Sequence, residues 1–183
     1  MLLDIILVSF VIAFLRGGRI KAVPTFNHII FLVISILLQF TAVFFHGIAG
    51  IFISAAYVAM ICFFYSNREH EDIRIFMIGW FLNAIVIWLN GGRMPIDLDQ
   101  AKKLPFSIEP LVNGTDFKHS VLTNETLLPF LGDIIYMPSI IPRIISIGDL
   151  FIMLGAFLLV QRITNRPISL IKLREGKSYV AKH

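Results

Sequence analysis

Five apolar runs dominate the sequence and restrict what the chain can fold into. A transmembrane helix needs roughly 20 mostly apolar residues to cross about 30 Å of hydrocarbon, and five stretches approach that length. Because 57% of the 183 residues are hydrophobic and only 15% are charged, the composition also differs from that of a soluble globular domain. We therefore predict an all-α fold, a single polytopic bundle of about five transmembrane helices. The predicted spans lie near residues 2–16, 28–45, 48–65, 73–89 and 144–160.

The basic residues predict an orientation for these spans, because short cytoplasmic loops are enriched in Lys and Arg. They follow the first run (Arg16, Arg19, Lys21), flank the third gap (Arg68, Arg74) and fill the tail, residues 161–183. The N-terminus is then outside and the tail is cytoplasmic. Since the first basic cluster follows the apolar run instead of preceding it, the run is expected to remain as a helix and not to be cleaved. Four crossings, with the second and third runs forming one re-entrant hairpin, are the alternative topology.

The positive net charge of +4 does not indicate nucleic-acid binding, because the basic residues lie at the ends of apolar runs. The expected partners are membrane lipids, and the apolar and basic residues of the tail, such as Ile168 and Leu173, suit either an interfacial stretch or a solvated tail. Cys62 is the single cysteine, which excludes an intrachain disulfide and a cysteine-based zinc or redox motif. No metal and no cofactor are predicted.

The long polar segment, residues 90–143, lies outside the cytoplasm in this topology. It is too polar to span a membrane and longer than an ordinary connection. Six prolines interrupt it, so we expect turns and short helices that pack on the membrane surface. Because loops held by a rigid scaffold often carry function, this segment is the first place to search for a site.

Two aspartates in apolar surroundings are the strongest candidates for catalytic residues. Asp133 lies in Leu-Gly-Asp-Ile-Ile, and Asp149 lies near the outer end of the fifth run. If two carboxyl groups share a cavity of low dielectric, one pKa rises, which leaves one acid and one base to activate a water molecule. The alternative is structural: Asp133 caps a surface helix, while Asp149 pairs with Arg143 or Arg93.

A group of polar and glycine residues on the fourth run is the candidate substrate-binding site. Asn83 and Asn90 are two helical turns apart and so share one face of the predicted helix. Gly91 and Gly92 let the backbone approach a ligand closely, and Arg93 adds a positive charge. The alternative is a glycine C-cap followed by an arginine that reaches lipid phosphate.

Other polar residues carry less weight. Asp4 suits the first turn of a helix, and Gln39 is expected to bond another helix. His119 and Ser120 lie near Asp116, but they do not form a recognisable nucleophile motif, so a Ser-His-Asp enzyme is disfavoured.

The motifs together resemble an uncharacterised bacterial family of small multi-pass membrane proteins. That family has an apolar segment ending in Arg-Gly-Gly, here at residues 16–18, and Asn-Gly-Gly-x-Met-Pro, here at residues 90–95. It continues with Leu-Gly-Asp and Gly-Asp, here at Asp133 and Asp149. The resemblance implies a bacterial plasma membrane location but supplies no activity.

Residues 131–160 also resemble the end of lipoprotein signal peptidase, where one aspartate follows an apolar stretch and a second opens the last helix. By that resemblance Asp133 and Asp149 would be a catalytic dyad, with Asn90 in the place of the asparagine in that family's Asn-x-Gly stretch. The chain departs from that family in its five predicted spans, its outside N-terminus and its lack of an Asn-x-x-Asp-Arg element. Ser146 stands where that family has its last asparagine.

Two functional hypotheses follow. The first is an aspartyl-type hydrolase at the outer membrane boundary that acts on a lipid-linked or membrane-bound substrate. The second is a non-catalytic membrane subunit or accessory protein whose outer loop binds a partner, such as another membrane subunit. A carrier is disfavoured, because ionisable groups are absent from the middle of the predicted spans.

Overall fold

The structure, a computed structural model, describes residues 2–20, 24–139 and 141–170. Lys21 and the predicted tail from residue 171 onward lie outside the described residues. Within them the chain is mostly helical, as predicted, with seven α-helices and four short strands. The long helices are α1 (Leu2–Leu15), α2 (Ile30–Phe44), α3 (Ala49–Ser66), α4 (Glu71–Leu89) and α7 (Ile147–Ile163).

An α-helix lies on each of the five apolar runs, and the helices pack as a row. α2 packs on α3, α3 on α4, α4 on α7, and α7 on α1. At one end of the row Asp4, in the first turn of α1, bonds Arg143 just before α7. At the other end Arg16, just after α1, bonds Gln161 in the last turns of α7. The polar segment that follows α4 therefore lies at the end of the row that holds Asp4.

The most extensive helix contact joins α4 and α7, and glycines make it close. A Cβ added at Gly79 would meet the backbone oxygen of Gly148 and the side chain of Ile152. A Cβ at Gly155 would lie 2.9 Å from the Phe76 ring. Small residues let helix backbones approach in this way, so α4 and α7 form a closely packed pair, with α3 on α4 and α1 on α7.

Among the residues that the structure describes, two helices, α3 and α4, are long and apolar enough to cross a membrane by length and composition. The apolar helices α1 and α2 are shorter. Large apolar side chains on both are exposed, among them Leu7 and Phe14 on α1 and Leu37 and Phe40 on α2. Exposed apolar patches of this kind mark contact with a membrane or a partner. A bundle in which all five helices cross stays a prediction.

The prediction of an all-α fold is wrong in the polar segment, which contains strands as well as the expected short helices. The segment forms the helices α5 (Leu98–Ala101) and α6 (Glu109–Val112) and a 3₁₀ turn at Pro129–Leu131. Its strands are β1 (Met94–Ile96), β2 (His119–Val121), β3 (Ile135–Met137) and β4 (Arg143–Ile145). Strands of three residues are too short to show the alternation of apolar and polar residues on which strand prediction depends.

The strands pair in two small sheets that fold the segment back on the helices. β1 pairs with β2 in parallel, and β3 pairs with β4 as an antiparallel hairpin. A further bridge joins Ile96 of β1 to Asp133. Apolar residues of the segment, including Ile96, Leu111 and Ile144, form a core cluster of their own. The segment is thus an ordered cap at one end of the bundle.

Candidate functional site

Strand β1 lies between two segments of the cap that each carry an ionisable residue, His119 on one side and Asp133 on the other. On one side the amide of Met94 donates to the Lys118 oxygen (2.8 Å), which aligns β2 and begins it at His119. On the other side the amide of Asp133 donates to the Pro95 oxygen (2.8 Å). His119 and Asp133, distant in sequence, are therefore neighbours across a single strand.

The first turn of α7 supplies the second aspartate. Ser146 is the N-cap: its hydroxyl accepts a hydrogen bond from the Asp149 amide (3.0 Å), and its own amide donates to Asp149 Oδ2 (3.2 Å). This reciprocal arrangement is a capping box. Asn83 of α4 reaches the same place, where Nδ2 donates to Asp149 Oδ1 (3.1 Å) and Oδ1 accepts from the Ser146 hydroxyl (2.8 Å).

The close contact of α4 and α7 fixes this arrangement. A Cβ on Gly148 would overlap the Asn83 side-chain amide, so the capping box and Asn83 meet only because residue 148 is glycine. Both oxygens of Asp149 accept hydrogen bonds, which is the pattern that suits a carboxylate.

Asp133, Asp149 and Asn83 line one cavity of about 200 Å³. The remaining wall is part polar and part apolar. It consists of Gln39, Ile53, Tyr57, Ile87, Met94, Lys118 and His119. A concave, mostly apolar pocket with a few convergent polar groups is the usual form of a small-molecule site.

Asp133 contributes to this cavity a buried oxygen without a hydrogen-bond partner in the described chain. Only 7% of the residue is exposed, and its Oδ1 is buried without a hydrogen-bond partner among the residues that the structure describes. Burial, reinforced by the charge of Asp149, raises the pKa of Asp133 to about 7. Asp133 therefore holds a proton at pH values where an exposed aspartate has lost it.

His119 links Asp133 to a second carboxylate. Its Nε2 lies 3.8 Å from Asp133 Oδ2, and its Nδ1 lies 3.3 Å from Asp116 Oδ2. Burial opposes the charged form of His119, but the hydrogen bond to Asp116 and the charges of Asp133 and Asp116 outweigh it, so its pKa is raised. The hydrogen bond to His119 holds the pKa of Asp116 well below its usual range. The nearby positive charge also lowers the pKa of Asp133, but burial outweighs that effect.

The structure does not bring the Asn-Gly-Gly-Arg group into this cavity. Asn90 Nδ2 donates to the oxygens of Val86 (2.7 Å) and Leu127 (2.9 Å), and its Oδ1 accepts from the Leu127 amide (2.9 Å). Arg93 donates to the Gly114 oxygen (3.1 Å). Asn90 and Arg93 hold the cap in place, and their predicted contact with a substrate stays a prediction.

Gly91 and Gly92 form the left-handed turn that ends α4. Their φ angles are +69° and +82°, values that glycine adopts without strain. The Gly92 amide donates to the Ile87 oxygen (2.9 Å), as expected for a glycine C-cap. Together with Arg93 they border a second, open depression between the start of α3 and the cap.

The structure does not form the alternative salt bridges predicted between Asp149 and Arg143 or Arg93. Arg143 pairs with Asp4 at 2.8 Å, and Arg93 bonds the backbone of Gly114. Asp149 does cap α7, so its structural role is real, but its carboxylate also faces the cavity. In the described part of the chain, no three His, Cys, Asp or Glu side chains are grouped to hold a metal ion.

His119 is the residue that sequence reasoning missed. Its proximity to Asp116 was visible, but the third partner, Asp133, depends on the pairing of β1 with both neighbours. Gln39 also differs from expectation, because its Nε2 bonds Ser35 within α2 (3.4 Å) and its side chain lines the cavity.

The fold and the cavity together define a mostly helical protein in which two aspartates line one cavity between a close helix pair and an ordered cap. The chain belongs to the family described as "Family of unknown function (DUF5317)", which it matches over residues 3–161. It is similar to a Thermotoga maritima protein described as "Uncharacterized protein", 28% identical over 164 residues, or 86% of this chain and 89% of that protein. No solved structure matches. These matches confirm the prediction that the chain belongs to an uncharacterised family.

Proposed function

We propose that this protein is a multi-pass membrane hydrolase whose site, built on Asp133 and Asp149, lies at the outer boundary of a bacterial plasma membrane. The apolar exposed surfaces of α1 and α2 support a lipid environment. Arg16, Arg74 and Arg162 lie at the end of the helix row opposite the cap, which supports a cap outside and basic loops inside.

The unpartnered, buried oxygen of Asp133 in a cavity shared with Asp149 is the observation that carries the proposal. An acid that keeps its proton near neutral pH, beside a carboxylate that accepts hydrogen bonds, provides the two halves of an acid–base pair. A buried polar atom without a partner is rare in folded proteins and needs an explanation, which a role in proton transfer would supply.

The chemistry assigns one role to each aspartate. Asp149 takes a proton from a water molecule as the water oxygen attacks the scissile carbonyl carbon, and Asp133 gives its proton to the carbonyl oxygen. In the second step the leaving nitrogen or oxygen takes the proton from Asp149, and a hydroxyl of the tetrahedral intermediate returns a proton to Asp133. Both aspartates end in their starting protonation states, and the bond is hydrolysed.

The surrounding residues favour these roles. Asn83 and the Ser146 amide bind the two oxygens of Asp149 and fix its orientation. His119 Nε2 lies 3.8 Å from Oδ2 of Asp133, and Oδ1 has no partner within the described chain, so the Asp133 carboxyl lacks the strong partner that would hold it ionised.

Asp133→Asn and Asp149→Asn test the proposal in the full-length protein reconstituted in liposomes. The probes are a quenched fluorescent peptide library joined to a transmembrane helix and p-nitrophenyl butyrate. Each substitution should lower the hydrolysis rate by about 100-fold or more, since acid–base groups contribute at least that factor. Asp99→Asn, which changes an exposed carboxylate of the cap, should leave the rate unchanged. The non-catalytic partner-binding hypothesis would be favoured if both variants hydrolysed the probes at the wild-type rate. It would also be favoured if the wild type hydrolysed neither probe.

A further inference from the structure

A third depression shares two wall residues, Asp133 and His119, with the cavity described above. It has a volume of about 570 Å³. The volume falls in the range of about 300–1,000 Å³ that is typical of small-molecule sites. We call it the apolar groove. Most of the rest of its wall is aliphatic or aromatic, with Leu3, Leu104, Phe106, Ile141 and Ile144.

Polar groups occur at few points of the apolar groove. Besides Asp133 and His119 they are Asp4 and Arg143, which bond each other at 2.8 Å. A peptide lying along the groove would present a backbone donor and acceptor at each residue, and the aliphatic wall offers them no partners. An alkyl chain needs none.

The exposed face of α1 leads to the apolar groove. Leu3, which lines the groove, is 75% exposed, and Leu7 and Val11 follow it at intervals of one helical turn with 64% and 58% exposure. Residues spaced by four lie on one face of a helix. This stripe of aliphatic side chains gives the groove a continuous apolar border along α1.

Building on the proposed function, we infer that the apolar groove binds the fatty acyl chain of a lipid-linked substrate that enters from the bilayer along α1. The acyl chain lies against Phe106 and Ile141, and the bond to be hydrolysed then lies beside Asp133, which the groove shares with the cavity that Asp149 lines. The inference specifies the substrate class: molecules in which the scissile carbonyl is close to an alkyl chain.

A binding experiment tests the groove independently of hydrolysis. The full-length protein is reconstituted with a phosphatidylcholine that carries a diazirine at the end of a palmitoyl chain, irradiated, and mapped by peptide mass spectrometry. Labels are expected on the groove residues in the wild type. The same labels are expected in Asp133→Asn, because that substitution changes the acid and leaves the apolar wall intact.

Matched substitutions distinguish the groove from general lipid contact. Ile141→Asp puts a charge into the groove, whereas Leu127→Asp puts one at a similarly exposed apolar residue of the cap that does not line it. Labelling of the groove should fall about tenfold in the first variant and stay at the wild-type level in the second. Ile141→Trp, which fills the groove without adding charge, should act like Ile141→Asp, with Leu127→Trp as its control.

The outcomes separate the two proposals. Equal groove labelling in the Ile141 and Leu127 variants, or labels confined to α2 and α3, would overturn the acyl-chain site even if the dyad hydrolyses the probes. Groove labelling that Ile141→Asp abolishes would support the site even if the wild type hydrolyses nothing, and then the hydrolase proposal alone would fail.

Discussion

Asp72 and Asp133 are two buried carboxylates at opposite ends of the same helix row, with 3% and 7% exposure. Asp72, in the first turn of α4, accepts hydrogen bonds on Oδ2 from both Nε and Nη2 of Arg162, at 3.1 and 2.8 Å. Asp133 has only a histidine 3.8 Å from one oxygen and no partner for the other within the described chain.

The difference shows that two carboxylates buried to a similar extent can have very different partners. A buried charge with an arginine partner joins two helices, here α4 and α7. A buried carboxyl that lacks such a partner holds its proton more tightly and faces a cavity, which is the condition for acid catalysis. In the proposed function Asp72 therefore stabilises the packing of α4 on α7, and Asp133 takes part in hydrolysis. The following experiments test these two roles.

The pH dependence of stability should give the largest effect. The pKa of Asp133 is about 7 in the folded state, against 3.8 for an ordinary aspartate such as that of the unfolded chain. The stability that protonated Asp133 contributes is therefore complete below about pH 4. It is lost as the pH rises through about 7. At about 1.4 kcal/mol per pKa unit, the loss is at most about 4 kcal/mol. The free energy of unfolding, measured from pH 4 to 8 in detergent, should fall more steeply for the wild type than for Asp133→Asn.

The comparison with Asp133→Asn is needed because His119 contributes in the same direction. Its pKa is also raised, so the stability that it provides is likewise lost as the pH rises. Parallel curves for wild type and variant would show that Asp133 titrates as an ordinary aspartate.

Arg162→Met should destabilise the protein by about 3 kcal/mol, because it leaves the Asp72 carboxylate buried without its partner. Denaturant unfolding of the full-length protein measures the effect, and hydrolysis per folded molecule should be unchanged. Arg68→Met is the matched control. That arginine is exposed and stacks on Tyr65, so its loss should cost less than about 1 kcal/mol. Equal costs would contradict a structural role for Asp72.

Gly148→Ala should destabilise the protein by about 2 kcal/mol, because the added Cβ overlaps the Asn83 amide and forces α4 and α7 apart. The displaced Asn83 should also reduce hydrolysis. Gly47→Ala is the control, since a Cβ there has no neighbour within 4 Å. If both alanine variants unfold at the wild-type denaturant concentration, the close helix contact does not determine the site.

Asn90→Ala should give the smallest effect, a loss of about 1 kcal/mol from the hydrogen bonds to the Leu127 backbone. The KM for any hydrolysed probe should not change, because Asn90 supports the cap and is not in the cavity. Asn124→Ala, at an exposed position of the cap, should be neutral. A raised KM in Asn90→Ala with unchanged stability would instead support the substrate contact predicted from the Asn-Gly-Gly pattern.

The helices could be predicted from sequence because each depends on a long, local apolar pattern. All five long helices lie on the predicted runs. Asp133 and Asp149 line one cavity, and the sequence singles them out because both lie close to the start of the last apolar run, where charge is costly.

The cap could not be predicted in the same way. The pairing of β1 with β2 joins residues on either side of α5 and α6, and no local pattern records it. No local pattern therefore indicates that His119 lies beside Asp133, 3.8 Å from its Oδ2. The Asn90 to Arg93 pattern was ambiguous for a different reason: a glycine pair suits a helix end and a ligand loop equally, and only the hydrogen bonds of Asn90 separate the two.

The cap also has a consequence for how the site fluctuates. His119 and Asp133 are aligned by a few hydrogen bonds to a strand of three residues, whereas Asn83 and Asp149 belong to long, closely packed helices. Segments held by few bonds open at lower free energy than the helices around them. We expect the amides of Met94, Leu122 and Asp133 to exchange with deuterium together and earlier than those in the middle of α4. Of the two aspartates, Asp133 would then be the one that moves away from the cavity when the cap opens.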